Sequence, residues 1–238
     1  MMNREQANKI KYDISKKLIE KYRSMQYQHI FPRCTSYTDI KYHSGLPYLE
    51  LPITVPVNKI LQELHNVKKY FVNHRDEYQE HKGWKSFCIH GKDYNATRET
   101  GFYNDNRPFV FTDLAKYHMP STVKYFSESF PYQSYERVRI MLLEPGGYIT
   151  VHNDYDQKRL SPINIALTQP NGCDFVMDKI GLVPFRVGSA MWLDISNSHT
   201  VFNNSNQPRY HIIVHGEPNQ NFKNLVEQHY NFLYNKQL

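Results

Sequence analysis

The chain has 238 residues, of which 40% are hydrophobic and 22% charged, and its formal net charge is +6. This composition excludes an intrinsically disordered chain, and no apolar run is long enough to span a membrane. The N-terminus is too polar for a signal peptide. Because Cys34, Cys88 and Cys173 are few and far apart, we expect reduced thiols in a cytoplasmic protein.

The positive charge is concentrated near the N-terminus, where residues 1–45 contain nine Lys/Arg and four Asp/Glu. A basic patch can bind nucleic acid. However, the sequence contains no long Lys/Arg block, and a solvated basic helix face explains the excess better. We therefore expect no nucleic-acid partner, whereas the sequence leaves the formation of a homo-oligomer open.

The first 80 residues predict helices and an extended segment. Residues 4–25 place apolar side chains on one helical stripe, opposite Lys and Arg. Residues 47–57 alternate and contain proline, which fits an edge strand. Asn58 is a suitable cap for a second helix that extends to Phe71. The predicted stripe of the first helix consists of Ile10, Ile14, Leu18, Ile19, Tyr22 and Met25.

The middle of the chain carries weaker patterns. Trp84 to Ile89 fits a strand, and residues 101–108 read as a loop. Pro120 to Phe130 predicts a short helix with Ser121 as its cap. The loops at 36–56 and 91–118 are rich in Tyr, Asn and Asp, and we expect them to form the mouth of a substrate site.

From Tyr135 onward the hydrophobic period changes to two, and short apolar runs alternate with turn residues. The turn Glu144-Pro145-Gly146-Gly147 separates the first two of these runs. The predicted strands are 138–143, 148–152, 163–167, 173–177, 182–187, 190–195, 199–203 and 210–214. Many short strands with frequent turns predict an antiparallel sandwich or barrel, and helical spacing returns at 220–236. We expect a mainly β fold with flanking helices.

Two imidazoles and a carboxylate form the most informative pattern. Residues i and i+2 of a strand point to the same side, so His152 and Asp154 present their side chains to one point. His199 begins a later predicted strand. Two histidines and a carboxylate on one face of a metal form the facial triad of non-haem Fe(II) oxygenases, with open positions for a co-substrate and dioxygen. Asp156 is a rival carboxylate, but it lies further into the loop.

Arg209 lies in the otherwise apolar segment 208–215. An unpaired cation in such a strand is costly, so a bound anion is a physical reason for its presence. The guanidinium offers a planar fork of donors that binds a carboxylate through two hydrogen bonds. We therefore expect Arg209 to bind the far carboxylate of a dicarboxylate co-substrate that chelates the metal through its keto-acid end.

Two stretches of the sequence resemble the aspartyl/asparaginyl β-hydroxylase family, which is similar to the bacterial proline hydroxylases. They read RVRIMLLEPGGYITVH at 137–152 and HTVFNNSNQPRYHIIVHG at 199–216. The resemblance covers about residues 84–217, and its HxD…H…R pattern is specific when the spacing and the Pro-Gly turn agree. It implies a double-stranded β-helix of the jelly-roll, cupin-like type within a single oxygenase domain, 1–238. That domain divides into N-terminal elements (1–80), the β-helix core (84–217) and a C-terminal helix (218–238).

The same resemblance implies a chemistry. It places Fe(II) on His152, Asp154 and His199 and 2-oxoglutarate on Arg209, with dioxygen as oxidant. The implied reaction hydroxylates an amino acid, free or within a peptide or protein, and releases succinate and carbon dioxide.

One branch of the family lacks the carboxylate ligand. Since this chain has Asp154, it looks more like the proline-hydroxylase side of the family and its bacterial or viral members. That branch also carries basic residues for the co-substrate on the strand after HxD. Here the sequence reads Ser161-Pro-Ile-Asn164 instead, so Asn164 is expected to be a weaker co-substrate contact.

Several alternatives remain open at this level. His211 and His215 share the strand face of Arg209 and either line the pocket or cap the barrel mouth. Arg139 either meets a substrate carboxylate or, as we prefer, forms a surface salt bridge. The chain could also be a non-catalytic β-helix module with a metal site. A zinc hydrolase is the third class, with Glu144 as its nearest acid/base.

Overall fold

The computed structural model describes residues 3–75, 80–96, 106–154 and 158–238. The helices are α1 Arg4–Tyr22, α2 Tyr37–His43, α3 Val57–Val67, α4 Asp113–His118, α5 Pro120–Lys124 and α6 Gln220–Gln237. The first strands are β1 Tyr48–Leu51, β2 Val72–Asn73, β3 Lys82–Gly91, β4 Val110–Phe111 and β5 Tyr132–His152. The later strands are β6 Ile163–Ala166, β7 Cys173–Met177, β8 Gly181–Leu182, β9 Ala190–Leu193, β10 His199–Asn203 and β11 Arg209–Pro218.

The eight strands from β1 and β5 to β11 follow the order β1-β9-β6-β11-β5-β10-β7-β8, and every named pair is antiparallel. The first half of β5 pairs with β11, whereas its second half pairs with β10. Strand β5 therefore joins two halves, one with β11, β6, β9 and β1 and one with β10, β7 and β8. After β5, the chain crosses between these halves repeatedly, which is the arrangement of a jelly roll. The predicted fold class is confirmed.

The predicted turn at 144–147 is wrong, because β5 continues through it as a single strand. The chain bends there instead of reversing. Gly146 has φ +67, and a Cβ on Gly147 would lie 2.8 Å from the carbonyl oxygens of Glu144 and Lys82. Glycine is required at such a close approach of two backbones. The buried Asn203 amide donates to the carbonyls of Leu143, Glu144 and Gln207 and holds the bend in place.

The helices pack outside the β core, as expected from their amphipathic patterns. One apolar cluster includes the inner faces of α3 and α6 and the outer face of the β11 half, and a second fills the space between the two halves. Helix α1 contacts β5, β7 and β10. In the described part of the chain, no helix is long and apolar enough to cross a membrane.

The predicted stripe of α1 is partly wrong. Ile10 and Ile14 are 47% and 48% exposed, whereas Ser15 is fully buried. The Ser15 hydroxyl accepts a hydrogen bond of 2.7 Å from the backbone N–H of Val151 and donates to the Lys11 carbonyl. A polar contact with β5 thus sets the face that α1 buries, and a hydrophobic stripe cannot reveal it.

Several element boundaries also differ from the predictions. Helix α3 begins at Val57 after Pro56, so Asn58 is not its cap. Helix α5 begins at Pro120 without a side-chain cap, so Ser121 does not have the predicted role, and a π-helix follows at Tyr125–Ser129. The short helices α2 and α4 were not predicted, although Ser36 and Thr112 cap them with side-chain hydrogen bonds.

Candidate metal centre

The structure brings together the three residues of the predicted triad. His152 ends β5 and His199 begins β10, and the two are register partners across the antiparallel pair. Asp154 follows two residues after His152. One potential ligand atom from each of the three residues lies within 4.8 Å of the other two. The Asp154 Oδ2 atom is 3.9 Å from Nε2 of each histidine. Such a set can close around one metal ion from a single side.

Backbone carbonyls hold both imidazoles in the orientation that a metal requires. His152 Nδ1 lies 2.7 Å from the Thr150 carbonyl oxygen, and His199 Nδ1 lies 2.9 Å from that of Asn197. A carbonyl can only accept, so each neutral ring donates its Nδ1–H and keeps the lone pair on Nε2. This outer hydrogen bond is the usual partner of a metal-bound histidine.

The charges of the triad also suit a cation. Burial lowers the pKa of His199 to about 4 and lowers that of His152, so both rings are neutral near pH 7. Burial alone would raise the pKa of Asp154. The neighbouring imidazoles and the Arg75 guanidinium, at 3.4 Å, outweigh it and lower that pKa. The triad therefore offers two neutral nitrogens and one carboxylate.

The triad opens into a cavity of about 410 Å³ between the two halves of the jelly roll. Its described lining includes all five predicted site residues: His152, Asp154, Asn164, His199 and Arg209. His211 and His215 also line the cavity. Of the two positions left open for them, the structure therefore selects the pocket wall. The rival Asp156 lies outside the described residues.

Arg209 is a buried cation at one wall of this cavity. Its residue is 5% exposed, its Nε has no hydrogen-bond partner, and no described carboxylate pairs with it. Burial lowers the pKa of Arg209 to about 10, so the guanidinium remains charged near neutral pH. A buried charge with no counter-ion is costly. The site therefore favours a bound anion.

The residues around Arg209 fix its position. Its Nη2 lies 2.9 Å from His211 Nδ1, and Asn164 Oδ1 lies 2.7 Å from the same ring nitrogen. The guanidinium carbon also lies 5.5 Å from the ring centre of Phe185 and 6.0 Å from that of Phe175, within the range of a cation–π contact. Asn164 thus lies beside the Arg209–His211 pair.

Two expectations about the cavity lining differ from the structure. Arg139 lines it and is 6% exposed, so the surface position that we preferred for it is wrong. Residues 36–56 and 91–118 do not appear in the described lining, although residues 97–105 lie outside the described part of the chain. Arg75, His74 and Arg159 line it instead. No local pattern marks these three residues, since they approach the triad only through the fold.

Two histidines from paired strands of a jelly roll, an adjacent carboxylate and a buried arginine define a facial-triad metal protein. The sequence of residues 52–218 matches the aspartyl/asparaginyl beta-hydroxylase family. The match spans most of the chain, and the protein belongs to this family. It is therefore a 2-oxoglutarate-dependent non-haem iron dioxygenase, with Fe(II) and 2-oxoglutarate as cofactors. The triad and Arg209, which has no counter-ion in the described part of the chain, fit these two groups.

Solved structures with a similar shape share little sequence with this chain. A Pseudomonas putida prolyl-4-hydroxylase has 11% identity and a TM-score of 0.44, covering 77% of this chain and 97% of its own. A Trichoplax adhaerens prolyl hydroxylase in complex with a hypoxia-inducible-factor peptide fragment has 14% identity and a TM-score of 0.46, covering 80% and 90%. No curated protein matched the sequence. The family assignment rests on the family match.

Proposed function

We propose that this protein hydroxylates an amino acid, free or within a peptide or protein, of the Asp/Asn or Pro type. In this proposal 2-oxoglutarate and dioxygen are consumed, and succinate and carbon dioxide are released. The whole chain would act as one oxygenase domain, with the jelly roll as its catalytic core. Family membership supports the reaction class. The choice among amino-acid substrates rests on the family description.

In this proposal His152, Asp154 and His199 hold the iron. Iron, when bound, supplies the activation of dioxygen for attack on a C–H bond. The two Nδ1 hydrogen bonds keep the imidazoles neutral and aimed, and Asp154 supplies the negative charge. The support is geometric, because the three groups converge without any rearrangement of the backbone.

Arg209 would bind the far carboxylate of 2-oxoglutarate, and Asn164 would be a weaker contact beside it. His211 would keep the guanidinium in place through the 2.9 Å contact between its Nδ1 and Arg209 Nη2. Because Phe175 and Phe185 flank the guanidinium, they would keep water away from the ion pair and strengthen it.

The single observation that carries the proposal is that the triad and a buried arginine, which has no counter-ion among the described residues, share one cavity. A zinc hydrolase would leave Arg209 without a role. Its candidate acid/base, Glu144, pairs with Lys85 at 2.5 Å and does not appear in the described lining. A non-catalytic module would have no need for both a complete triad and an anion site.

Turnover assays test the proposal directly. The protein is incubated with Fe(II), ascorbate, 2-oxoglutarate and mixtures of amino acids and peptides, and mass spectrometry follows succinate and products heavier by one oxygen atom. We expect iron-dependent succinate formation and an oxygenated amino acid. No succinate above the metal-free control, with any substrate, would refute the proposal. Hydrolysis products that appear with Zn(II) alone would favour the hydrolase.

A further inference from the structure

The two carboxylate oxygens of Asp154 face different groups. Oδ2 lies 3.9 Å from Nε2 of both His152 and His199, so this oxygen completes the triad. Oδ1 lies 3.4 Å from Nη2 of Arg75. A carboxylate can bind a metal through one oxygen or through both. With one oxygen directed at the imidazoles and the other paired with a guanidinium, the arrangement favours a metal bond through Oδ2 alone.

Trp84 supports the Arg75 guanidinium. The centre of the indole ring lies 5.8 Å from the guanidinium carbon, within the range of a cation–π contact. The indole packs in turn against His74 and His81, whose ring centres lie 4.3 Å and 5.0 Å away. The side chains of both histidines are almost fully covered. Arg75 therefore lies on a packed aromatic surface, although its own side chain is partly exposed.

The backbone at Arg75 is also unusual. Its φ is +54, in the left-handed region that a residue with a long side chain rarely adopts. The preceding residue fixes the chain here: the His74 backbone N–H donates to the Trp84 carbonyl at 2.8 Å, and His74 Nδ1 lies 3.1 Å from Ser86 Oγ. A strained residue persists only where its surroundings hold it, and such residues are concentrated at functional sites. The strain therefore supports a functional role for the Arg75 side chain.

The contact between Arg75 and Asp154 matters because of what the metal must leave open. A facial triad keeps coordination positions free for the co-substrate and dioxygen. If the Asp154 carboxylate rotated and bound the metal through both oxygens, it would occupy one of these positions. The rotation would also break the contact between Oδ1 and Arg75. The guanidinium therefore opposes the two-oxygen mode, and outer partners of metal ligands commonly have large effects on metal sites.

We propose that Arg75 is a positioning residue that holds Asp154 as a one-oxygen ligand and so keeps a coordination position open for dioxygen. This inference rests on the proposed function, because it takes the triad as the iron site. Lysine would replace Arg75 only in part, since an ammonium lacks the planar group that stacks on Trp84 while it contacts a carboxylate. The competing explanation is an exposed ion pair that only stabilises the fold, which predicts a small effect on stability and none on the metal.

Nitric oxide binding to the iron-loaded protein tests this role. Nitric oxide binds Fe(II) at the position open to dioxygen, and the complex gives an electron paramagnetic resonance signal. The wild type, Arg75→Met and Arg75→Lys are loaded with Fe(II), saturated with 2-oxoglutarate under nitrogen and titrated with nitric oxide. Arg75→Met should bind nitric oxide about tenfold or more weakly per bound iron. Arg75→Lys should have an affinity between those of Arg75→Met and the wild type.

The matched control is Arg186→Met. Arg186 also pairs with a carboxylate, that of Glu50 at 2.6 Å, and its side chain is 69% exposed. It does not appear in the described lining of the cavity. The control therefore removes an arginine ion pair away from the metal and should leave nitric oxide binding unchanged. Because exposed ion pairs contribute little to stability, the metal-free forms of both Met variants should melt near the temperature of the wild type.

The outcomes separate this inference from the proposed function. Nitric oxide affinity of Arg75→Met equal to that of the wild type overturns the inference, and so does an equal loss in Arg186→Met. A lower melting temperature of Arg75→Met with unchanged nitric oxide binding gives Arg75 a structural role only and also overturns it. Iron-dependent succinate formation with unchanged nitric oxide binding refutes this inference alone. Weaker nitric oxide binding by Arg75→Met, in a protein that never forms succinate, supports the inference and refutes the proposed function.

Discussion

The two functional ends of the cavity balance charge in opposite ways. At the triad, two neutral imidazoles and the Asp154 carboxylate face one point, and Arg75 pairs with the carboxylate at 3.4 Å. At the other end, Arg209 is buried without any described carboxylate partner. The carboxylate at the metal end thus has a cationic partner, whereas the guanidinium at the other end has no described anionic one. A dicarboxylate co-substrate would supply that anion, and a metal would use the two imidazole lone pairs and the carboxylate of the triad.

The difference also lies in how each end is held. The triad residues lie at the ends of β5 and β10, where Nδ1 hydrogen bonds to nearby carbonyls orient both rings. Arg209 lies within the ladder of β11, and its contacts are with side chains from other strands. The metal end depends on local backbone geometry, whereas the anion end depends on long-range packing.

The largest expected effect comes from removing a ligand. His199→Ala should weaken iron binding by more than about 100-fold, because losing even an outer partner of a ligand costs up to that factor. Succinate formation should fall to background, while 2-oxoglutarate should still recognise Arg209. Iron content by mass spectrometry and succinate assays provide the measurement. His65→Ala, on the exposed face of α3, is the matched control. Normal succinate formation by His199→Ala would refute the ligand assignment.

Removing the charge of Arg209 should leave iron binding unchanged. Arg209→Met should raise the 2-oxoglutarate requirement on the order of 100-fold, as expected for the loss of a buried charge pair. Because the cation has no described counter-ion, the metal-free variant should also melt at a higher temperature than the wild type. Unchanged co-substrate affinity would remove Arg209 from the site. A lower melting temperature would show that a partner compensates its charge.

Two substitutions test whether Asp154 or Asp156 is the carboxylate that binds the metal. Asp154→Ala should reduce coupled turnover by about tenfold or more, whereas Asp156→Ala should change it little. Both variants remove one carboxylate from the same segment, so each is the control for the other. Succinate formed per oxygenated product is the quantity to compare. A larger effect at Asp156 would exchange the two assignments.

The smallest expected effect is on the pH dependence of stability. Both ends of the cavity contain buried neutral histidines. The folded-state pKa of His199 is about 4 and that of His211 is well below its usual value, whereas unfolded histidines titrate near 6.5. Below pH 6.5 the unfolded state binds more protons, so stability falls as pH decreases toward 4. Melting temperatures of the metal-free protein from pH 7 to pH 4.5 should decline steadily. A flat profile would contradict the neutral, buried state of these rings.

Local sequence patterns predicted the parts of the fold that depend on neighbours along the chain. The predicted limits of β7 and β10 agree with the structure, because alternation directly reports which side of a strand is buried. The triad could be recognised for the same reason, since His152 and Asp154 share one face. The sequence did not predict the bend in β5, because the proline and glycines at 145–147 are equally typical of a reversing turn.

Long-range contacts explain the remaining errors. Arg139 resembled a surface residue in sequence, yet β3 and β11 cover its strand on both sides. Arg75 meets Asp154 only because the segment after β2 reaches the end of β5. The buried face of α1 depends on a hydrogen bond between Ser15 and Val151. None of these contacts leaves a periodic signal, because the partners are far apart along the chain.

By itself, the sequence determined the mainly β class, the positions along the chain of most core strands and the four residues expected to bind iron and 2-oxoglutarate. These follow from short-range periodicity and from residue chemistry. Only the tertiary structure decided that β5 serves both halves of the jelly roll and that Arg209 is buried without a described acid. It also brought Arg137 and Arg139 into the cavity. The physical reason is that burial and charge balance depend on every strand and helix that packs around a site.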